Sequence, residues 1–535
     1  MTAAVAVAAR EGGSRPFAGT GTLLRFALRR DRVTLPVWIA VTAVMVLSMP
    51  GTLEGLYGTA AERADLVGQL RANSALRAMT GPLLGDSLGA LTAWRVGVYA
   101  AVLAAGLSLL TVVRHTRDEE ESGRDELLRA GAVGRHAPLT AALLAAAVAD
   151  AVLALLLAAG LSAHGTAGAV AFALGIAGAG LVFATLAAIA AQLTESARAA
   201  RGLTAGTLGA AFVLRAAGDS GTADGSSPLT WLSPLGWAEN VRAFTGERWW
   251  VLAVPAGAVL AQGAVAYALA GRRDVGAGFR PARPGPAYGR LGTAGALAWR
   301  LQRGGVLGWS LGFLVAGVVY GAMTKGAAEL LADNEGTREV IARMGGEAGP
   351  ADSFVSAMVG TLGMVAALYV VASALRLHAE ETSGRAEPVL AGAVGRLRWA
   401  AGHLVAAFGG AVVLLLTAGC GYALGYGRDL GPILAACLVQ VPAVWVVGGA
   451  AVLLLGLLPR AAPVAWAVAG AALLLGWIGP ALDLPGALLD LSPFAHLPKL
   501  PGAGMQWRPV LVLLGLAGVL VATGVVGLRR RDVGG

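Results

Sequence analysis

Twelve apolar runs of roughly 18 to 25 residues punctuate the chain, each long enough to cross about 30 Å of hydrocarbon at about 1.5 Å of helix rise per residue. They lie near 33–50, 92–114, 137–160, 167–192, 199–216 and 249–270, and again near 305–323, 353–376, 397–420, 431–457, 461–482 and 508–528. Of the 535 residues, 56% are apolar and only 14% charged, and the mean hydropathy is +0.68. No soluble globular chain of this length has such a balance. The expected fold is therefore all-α and integral to a membrane, with about 12 transmembrane helices.

The net charge of +9 does not point to nucleic acid, because the arginines sit in short segments flanking the apolar runs, as positive-inside anchors do. With the N-terminus in the cytoplasm, most of the 41 basic residues fall on the inner side, which predicts an N-in, C-in topology in a bacterial inner membrane. Cys420 and Cys437 are the only cysteines and the six histidines are scattered, so neither a disulfide framework nor a metal site is expected. The apolar stretch at the N-terminus is too short for a signal peptide. The first spanning helix then serves as an uncleaved insertion signal, with the mature chain starting near Met1.

The runs form two sets of six, and three landmarks recur in each set. EEESGRDELLRAGAVGR (Glu119 to Arg135) and EETSGRAEPVLAGAVGR (Glu380 to Arg396) are identical at 12 of 17 positions. Leu232-Ser233-Pro234 answers to Leu491-Ser492-Pro493, and RRDVG closes both sets, at Arg272 to Gly276 and at Arg530 to Gly534. An even number of helices separates equivalent points, so the sequence implies two parallel six-helix repeats with pseudo-twofold symmetry about the membrane normal. The domains read as 1–276, a Pro/Gly/Arg-rich cytoplasmic linker at 277–293, and 294–535. Basic amphipathic stretches open each half, around Arg25 to Arg32 and Arg300 to Arg303, either lying in the headgroup layer or serving as plain positive flanks.

The repeated 17-residue segment carries the chemistry. It combines an acidic pair, a Ser-Gly-Arg turn, a further carboxylate and a small-residue tail. In a helix, Glu119 and Glu126 share a face, as do Glu380 and Glu387, while Arg124 stands four residues from Glu120 and is placed to pair with it. A merely solvated loop needs only to stay polar after duplication, whereas here the same charges recur at the same offsets. An acidic pair followed by Gly, Glu and a short apolar run, between the second and third helices of a six-helix unit, resembles the coupling segment of ABC-2-type exporter permeases. The fused form with paired signatures and two LSP elements resembles actinobacterial polyketide-antibiotic exporters of the tetronasin type. That resemblance implies that Glu119, Glu120, Gly123, Arg124 and Glu126, with Glu380, Glu381, Gly384, Arg385 and Glu387, meet an ATPase. Pro388 in place of Leu127 departs from the first copy and should shorten or kink the second coupling helix.

No catalytic residue is expected in the chain itself. A P-loop needs Gly-x-x-x-x-Gly-Lys-Ser/Thr, and the only lysines, Lys325 and Lys499, do not fit it. ATP and Mg would be bound by two copies of a separate soluble ABC ATPase. Gly308-Trp309-Ser310-Leu311-Gly312 matches a nucleophile elbow only in letters, since it lies in an apolar helix. Asp150 is the one carboxylate placed deep in a span. Intramembrane charge costs about 2.5 to 3.5 kcal/mol on insertion scales, and a structural role beside a polar neighbour weighs more than a substrate or proton role. Gln192, Gln262 and Gln440 are weaker versions of the same case, and His403 reads as a packed core histidine. The outer segments after the first helix of each half have helical periodicity.

These observations predict the permease subunit of an ATP-driven exporter, surrounded by lipid, moving a hydrophobic antibiotic or drug-like molecule, with a multidrug-resistance role. The alternative is a proton-coupled transporter of the 12-helix major-facilitator type, whose basic loop GRDELLRAGAVGR matches loosely. The preceding Glu run and the shortage of intramembrane carboxylates weigh against it. A membrane enzyme is disfavoured by the lack of clustered nucleophile, base or metal ligands.

Overall fold

A computed structural model of the chain describes residues 16–71, 74–124, 133–222, 224–274, 276–279, 289, 291–333, 349–427, 430–477 and 485–530. Every regular element among them is helical. The chain divides into two compact units, Met1–Pro284 and Gly285–Gly535, and each is built from small residues packed helix against helix.

In the first unit, α1 (Thr20–Arg30) leads into α2 (Thr34–Leu47), followed by three short helices, α3 (Met49–Leu56), α4 (Ala60–Arg71) and α5 (Ser74–Thr80). Then come α6 (Leu88–Arg114), the short α7 (Arg117–Glu121), α8 (Ala137–Leu161), α9 (Thr166–Leu193) and α10 (Ala197–Gly221). Two short helices, α11 (Pro228–Trp231) and α12 (Pro234–Asn240), precede α13 (Ala253–Ala270). The core is alanine-rich: Ala100, Ala104 and Leu107 of α6 meet Leu153 and Leu157 of α8 and Ile176 and Phe183 of α9. Small side chains allow this close approach where lipid tails supply no hydrophobic drive between helices. Large apolar side chains such as Leu155 and Leu260 point outward instead, as a bilayer solvent permits.

The second unit comprises α14 (Ala294–Asp333), α15 (Pro350–Ala374), α16 (Arg376–Thr382), α17 (Glu387–Leu390), α18 (Arg396–Tyr426), α19 (Leu430–Leu438), α20 (Val441–Leu457), α21 (Ala465–Trp477), α22 (Gly486–Leu489) and α23 (Trp507–Arg530). Its central contact is a parallel pair, α14 against α18, meeting backbone to backbone. A Cβ at Gly317 or Gly321 would overlap the carbonyls of Ala418 or Tyr422, and one at Gly421 or Gly425 those of Leu314 or Val318. Two small-xxx-small motifs thus face each other. Gly456 and Gly524 bring α20 and α23 together in the same way.

Eleven helical stretches among the described residues are long and apolar enough to cross a membrane. The expected fifth span, 199–216, departs from the count of about twelve. It forms α10, which is long enough but not apolar enough to qualify, because Arg201, Arg215 and Asp219 interrupt it. The stretch around Arg25 to Arg32 forms a separate helix, α1, up to Arg30. Its counterpart around Arg300 to Arg303 instead continues without a break into the 40-residue α14.

Candidate functional site

The acidic run at the end of α6 is a hub that holds four parts of the first unit together. Asp118 pairs with Arg201 of α10, and Glu119 with Arg30 of α1. Glu120 accepts from Arg117 at 2.8 Å and from Arg273, just beyond α13. Glu121 accepts at 3.0 Å from the backbone N–H of Ala197, the first residue of α10. There it meets one of the donors that a helix N-terminus leaves unsatisfied. Arg117 is 1% exposed. Its guanidinium donates to the Ala191 carbonyl at 2.9 Å, in the last turn of α9, where a cation complements the helix dipole.

Arg124 does not pair with Glu120. Its Nε lies 3.1 Å from Glu119 Oε2, because Glu120 turns inward to Arg117 and Arg273. Glu126 and Leu127 lie outside the described residues. Glu119 is buried and Glu120 nearly so, while Arg124 is exposed.

The second copy is arranged differently. Glu380 is 3.7 Å from Arg376 on the same helix, Glu381 is half-buried, and Arg385, Glu387 and Pro388 are exposed. Pro388 stands at the start of α17, a helix of four residues. Both copies nonetheless turn alike. Gly123 and Gly384 sit at φ +73° and +70°, a left-handed conformation that glycine adopts without a steric penalty. Each N–H bonds back to a glutamate carbonyl, Glu120 at 3.1 Å and Glu381 at 3.0 Å.

Asp150 is buried in α8 and accepts from Ser108 of α6 at 2.7 Å. Gly180 of α9 leaves the room it needs, since a Cβ there would overlap the carboxylate. Gln192 and Gln262 bond to Arg273 and Thr185 respectively. His403 is packed against Trp399 and bonded to Gln302 at 3.0 Å.

At the opposite end of α6 a second polar cluster stands beside an open cleft whose wall includes Trp94, Phe172, Leu235, Glu239 and Arg242. The Ser-Pro pair of the first LSP element starts α12: Ser233 caps the Leu235 N–H at 3.2 Å, and Pro234 takes the first helical position, where its missing N–H costs nothing. The Ser233 hydroxyl also donates to the Ala211 carbonyl of α10 at 2.7 Å. Ser492, in the second LSP element, donates to Ala472 of α21 at 3.3 Å. Helix α12 so placed puts Glu239 3.0 Å from Arg215, a residue with no exposed surface, which lies 3.4 Å from Asp219 as well. Arg215 also donates to the Ala78 carbonyl at the end of α5. Burial pushes the Glu239 carboxyl well above the usual carboxylate range, although Arg215 pulls it back. Just beyond, Arg242 and Phe244 hold φ values of +54° and +63°, a strained conformation for residues with a Cβ. The Phe244 ring occupies the space that Gly89 and Gly168 leave open.

Residues 291–529 match the family model described as "Multidrug efflux system permease Rv1217c, C-terminal domain". Over the whole chain the sequence is 41% identical, across 556 aligned positions covering 100% of both proteins, to "Multidrug efflux system permease protein Rv1217c" of Mycobacterium tuberculosis (strain ATCC 25618 / H37Rv). The chain belongs to the Rv1217c permease family. As a member of the Rv1217c family with eleven membrane-capable helical stretches among its described residues, it is a multi-pass protein of the bacterial inner membrane.

Sequence reasoning missed several residues of this Rv1217c-family chain. Arg30, Arg117, Arg201 and Arg273 bind the acidic run, and Asp31 is buried between Arg114 and His115. The signal was the run itself, since four successive acids require counter-charges. Arg215, Asp219 and Glu239 were also missed. An arginine inside an apolar run was the available clue.

Proposed function

We propose that the chain is the membrane-spanning permease of an ATP-driven exporter of the ABC-2 type, akin to the tetronasin-type antibiotic exporters. It moves a hydrophobic, drug-like molecule out of the cell. Two copies of a separate soluble ATPase, which bind ATP and Mg, dock on the two acidic segments. The two six-helix repeats, in domains 1–276 and 294–535 joined by the linker 277–293, are related by pseudo-twofold symmetry, with both termini in the cytoplasm.

The observation that carries this reading is the whole-length identity to a protein named as a multidrug efflux system permease. The duplicated acid-turn segment supports the coupling role: in each copy a short helix closes the membrane-capable stretch, at Glu121 or Thr382, and the chain then turns at Gly123 or Gly384. Glu119, Glu120, Gly123, Arg124 and Glu126 form one proposed docking element, and Glu380, Glu381, Gly384, Arg385 and Glu387 the other. ATPase closure would push on these elements and change the access of the central path.

The test is efflux from cells co-expressing the permease with a soluble ABC ATPase supplied as its partner. Efflux should stop on ATP depletion and survive collapse of the proton gradient. The reverse pattern would favour the proton-coupled alternative and overturn the proposal.

A further inference from the structure

Two acids and one arginine meet, almost wholly buried, near the Leu88 end of α6. The side chains of Arg215 and Asp219 of α10 have no exposed surface, and Glu239 of α12 keeps 13% of its own. One guanidinium nitrogen of Arg215 faces both carboxyls, 3.0 Å from Glu239 Oε1 and 3.4 Å from Asp219 Oδ2. The Glu239 carboxyl is also hydrogen-bonded to that of Asp219. Two ionised carboxylates offer each other only acceptors, so one of the pair holds a proton. Asp219 already accepts from Thr230 of α11 at 2.8 Å and from Arg215, which leaves Glu239 as the protonated partner and the donor.

The remaining charged groups on the elements around the pair are directed elsewhere. Arg77 of α5 donates to the Asp219 and Ser220 backbone carbonyls at 3.1 and 2.9 Å. Arg242, just past α12, donates to the Asp224 carbonyl at 2.9 Å. Arg95 of α6 is exposed over the Trp94 ring, with Tyr99 one turn further along. Helices α9 and α11 carry no titratable residue. Loss of the proton would therefore set two buried anions against one cation, and an uncompensated buried charge is costly. The same side chains hold several helices together: Arg215 also donates to the Ala78 and Met79 carbonyls at the end of α5, at 2.8 and 3.2 Å.

We infer that Asp219 and Glu239 share one proton, and that this proton latches α5, α11 and α12 onto α10 until it is lost. On opening, the Glu239 O–H bond breaks, its electron pair stays on the carboxylate and the proton passes to water, Glu239 being the member with exposed surface. Repulsion between the two carboxylates then drives α12 from α10. Burial holds the Glu239 carboxyl well above its ordinary range, so the closed latch keeps a proton that an opened one sheds above about pH 4.3. The latch is therefore tight on the acid side and weakens as pH rises toward the buried value, by up to about tenfold per pH unit for one proton. On the proposed topology these elements face outward and the latch reads external pH. That sidedness rests on the export reading; the latch itself does not.

The test is hydrogen exchange of the full-length chain in nanodiscs, read by mass spectrometry over residues 74–80 and 228–240 and corrected for the intrinsic pH dependence of exchange. Between about pH 5 and about pH 9 the protection of these segments should fall as the proton is lost. Glu239→Gln offers Asp219 an amide N–H in place of the carboxyl O–H and does not titrate, so it should keep the protection of the acid form throughout. Asp219→Asn leaves Glu239 ionised opposite Arg215 with no proton required, and should flatten the profile by a second route. Constant protection in the parent, or a pH dependence unchanged in both variants, would overturn the latch. So would a loss of protection spread equally over the second unit, which contains none of the three residues. Nanodiscs expose both faces to one pH and neither ATPase nor substrate is present, so the outcome is independent of the export reading.

Discussion

Arg273 clasps Glu120 with both terminal guanidinium nitrogens, the longer contact being 2.9 Å, across 153 residues of sequence. The two residues come from different landmarks, one from the acid-turn segment and one from the RRDVG element that closes the first half. Their side chains are only 7% and 8% exposed. The pair therefore ties the exit of α6 to the exit of α13.

Breaking that clasp should destabilise the fold. Glu120→Arg faces Arg117 and Arg273 with a third guanidinium, and removing one partner of a buried pair costs about 3 to 5 kcal/mol. Melting of the detergent-solubilised protein should fall accordingly, and the charge swap Glu120→Arg with Arg273→Glu should recover part of the loss. Equal melting of the single variant and the parent would show that the clasp is dispensable.

Glu387 separates docking from folding. It is exposed, at the start of a four-residue helix, and substitutions on such surfaces change stability by about 0.5 kcal/mol or less. Glu387→Lys should melt like the parent and fail to co-purify the ATPase. Retained co-purification with full efflux would leave this carboxylate a solvated surface charge.

Asp150→Asn tests the proton-coupled alternative. The amide oxygen keeps the Ser108 hydrogen bond, so stability should stay within about 1 kcal/mol of the parent and efflux should persist. A folded variant that has lost efflux would make Asp150 a proton-carrying residue.

Gly321→Val should disrupt the contact between α14 and α18, because the new side chain meets the Tyr422 carbonyl. Overpacking of this kind costs about 1 to 3 kcal/mol and sometimes more. Gly312→Ala on the same helix meets nothing within 4 Å and should be neutral or favourable, since Ala exceeds Gly in helix propensity by about 1 kcal/mol. Proteolytic resistance and melting of the two variants give the comparison.

The spanning helices were legible because the bilayer imposes a length and a polarity on each of them, a constraint that local composition records. The fifth run is where that record is weakest. Arg201 and Arg215 lower its average over 199–216, and Arg215 is there to meet Glu239, 24 residues further on. Spacing along one helix suggested an Arg124–Glu120 pair, whereas Arg124 meets Glu119, and Glu119 and Glu120 take further partners from α1 and from beyond α13. Helical periodicity carries no information about partners at that separation. Glycine spacing is ambiguous in a similar way. Gly304, Gly308 and Gly312 repeat every four residues and face open space, whereas Gly317 and Gly321 meet a neighbouring backbone.

Helices α14 and α18 touch backbone to backbone and run in the same direction, with no side chains between them at Gly317, Gly321, Gly421 and Gly425 to compress or change rotamer. Such a pair behaves as a strut. Helix α18 has 31 residues, a rod of about 46 Å at 1.5 Å per residue, and it begins at Arg396, the last residue of the second acid-turn segment. Force applied at that segment travels the full length of the rod with little lost to bending, and tilting either helix requires tilting both.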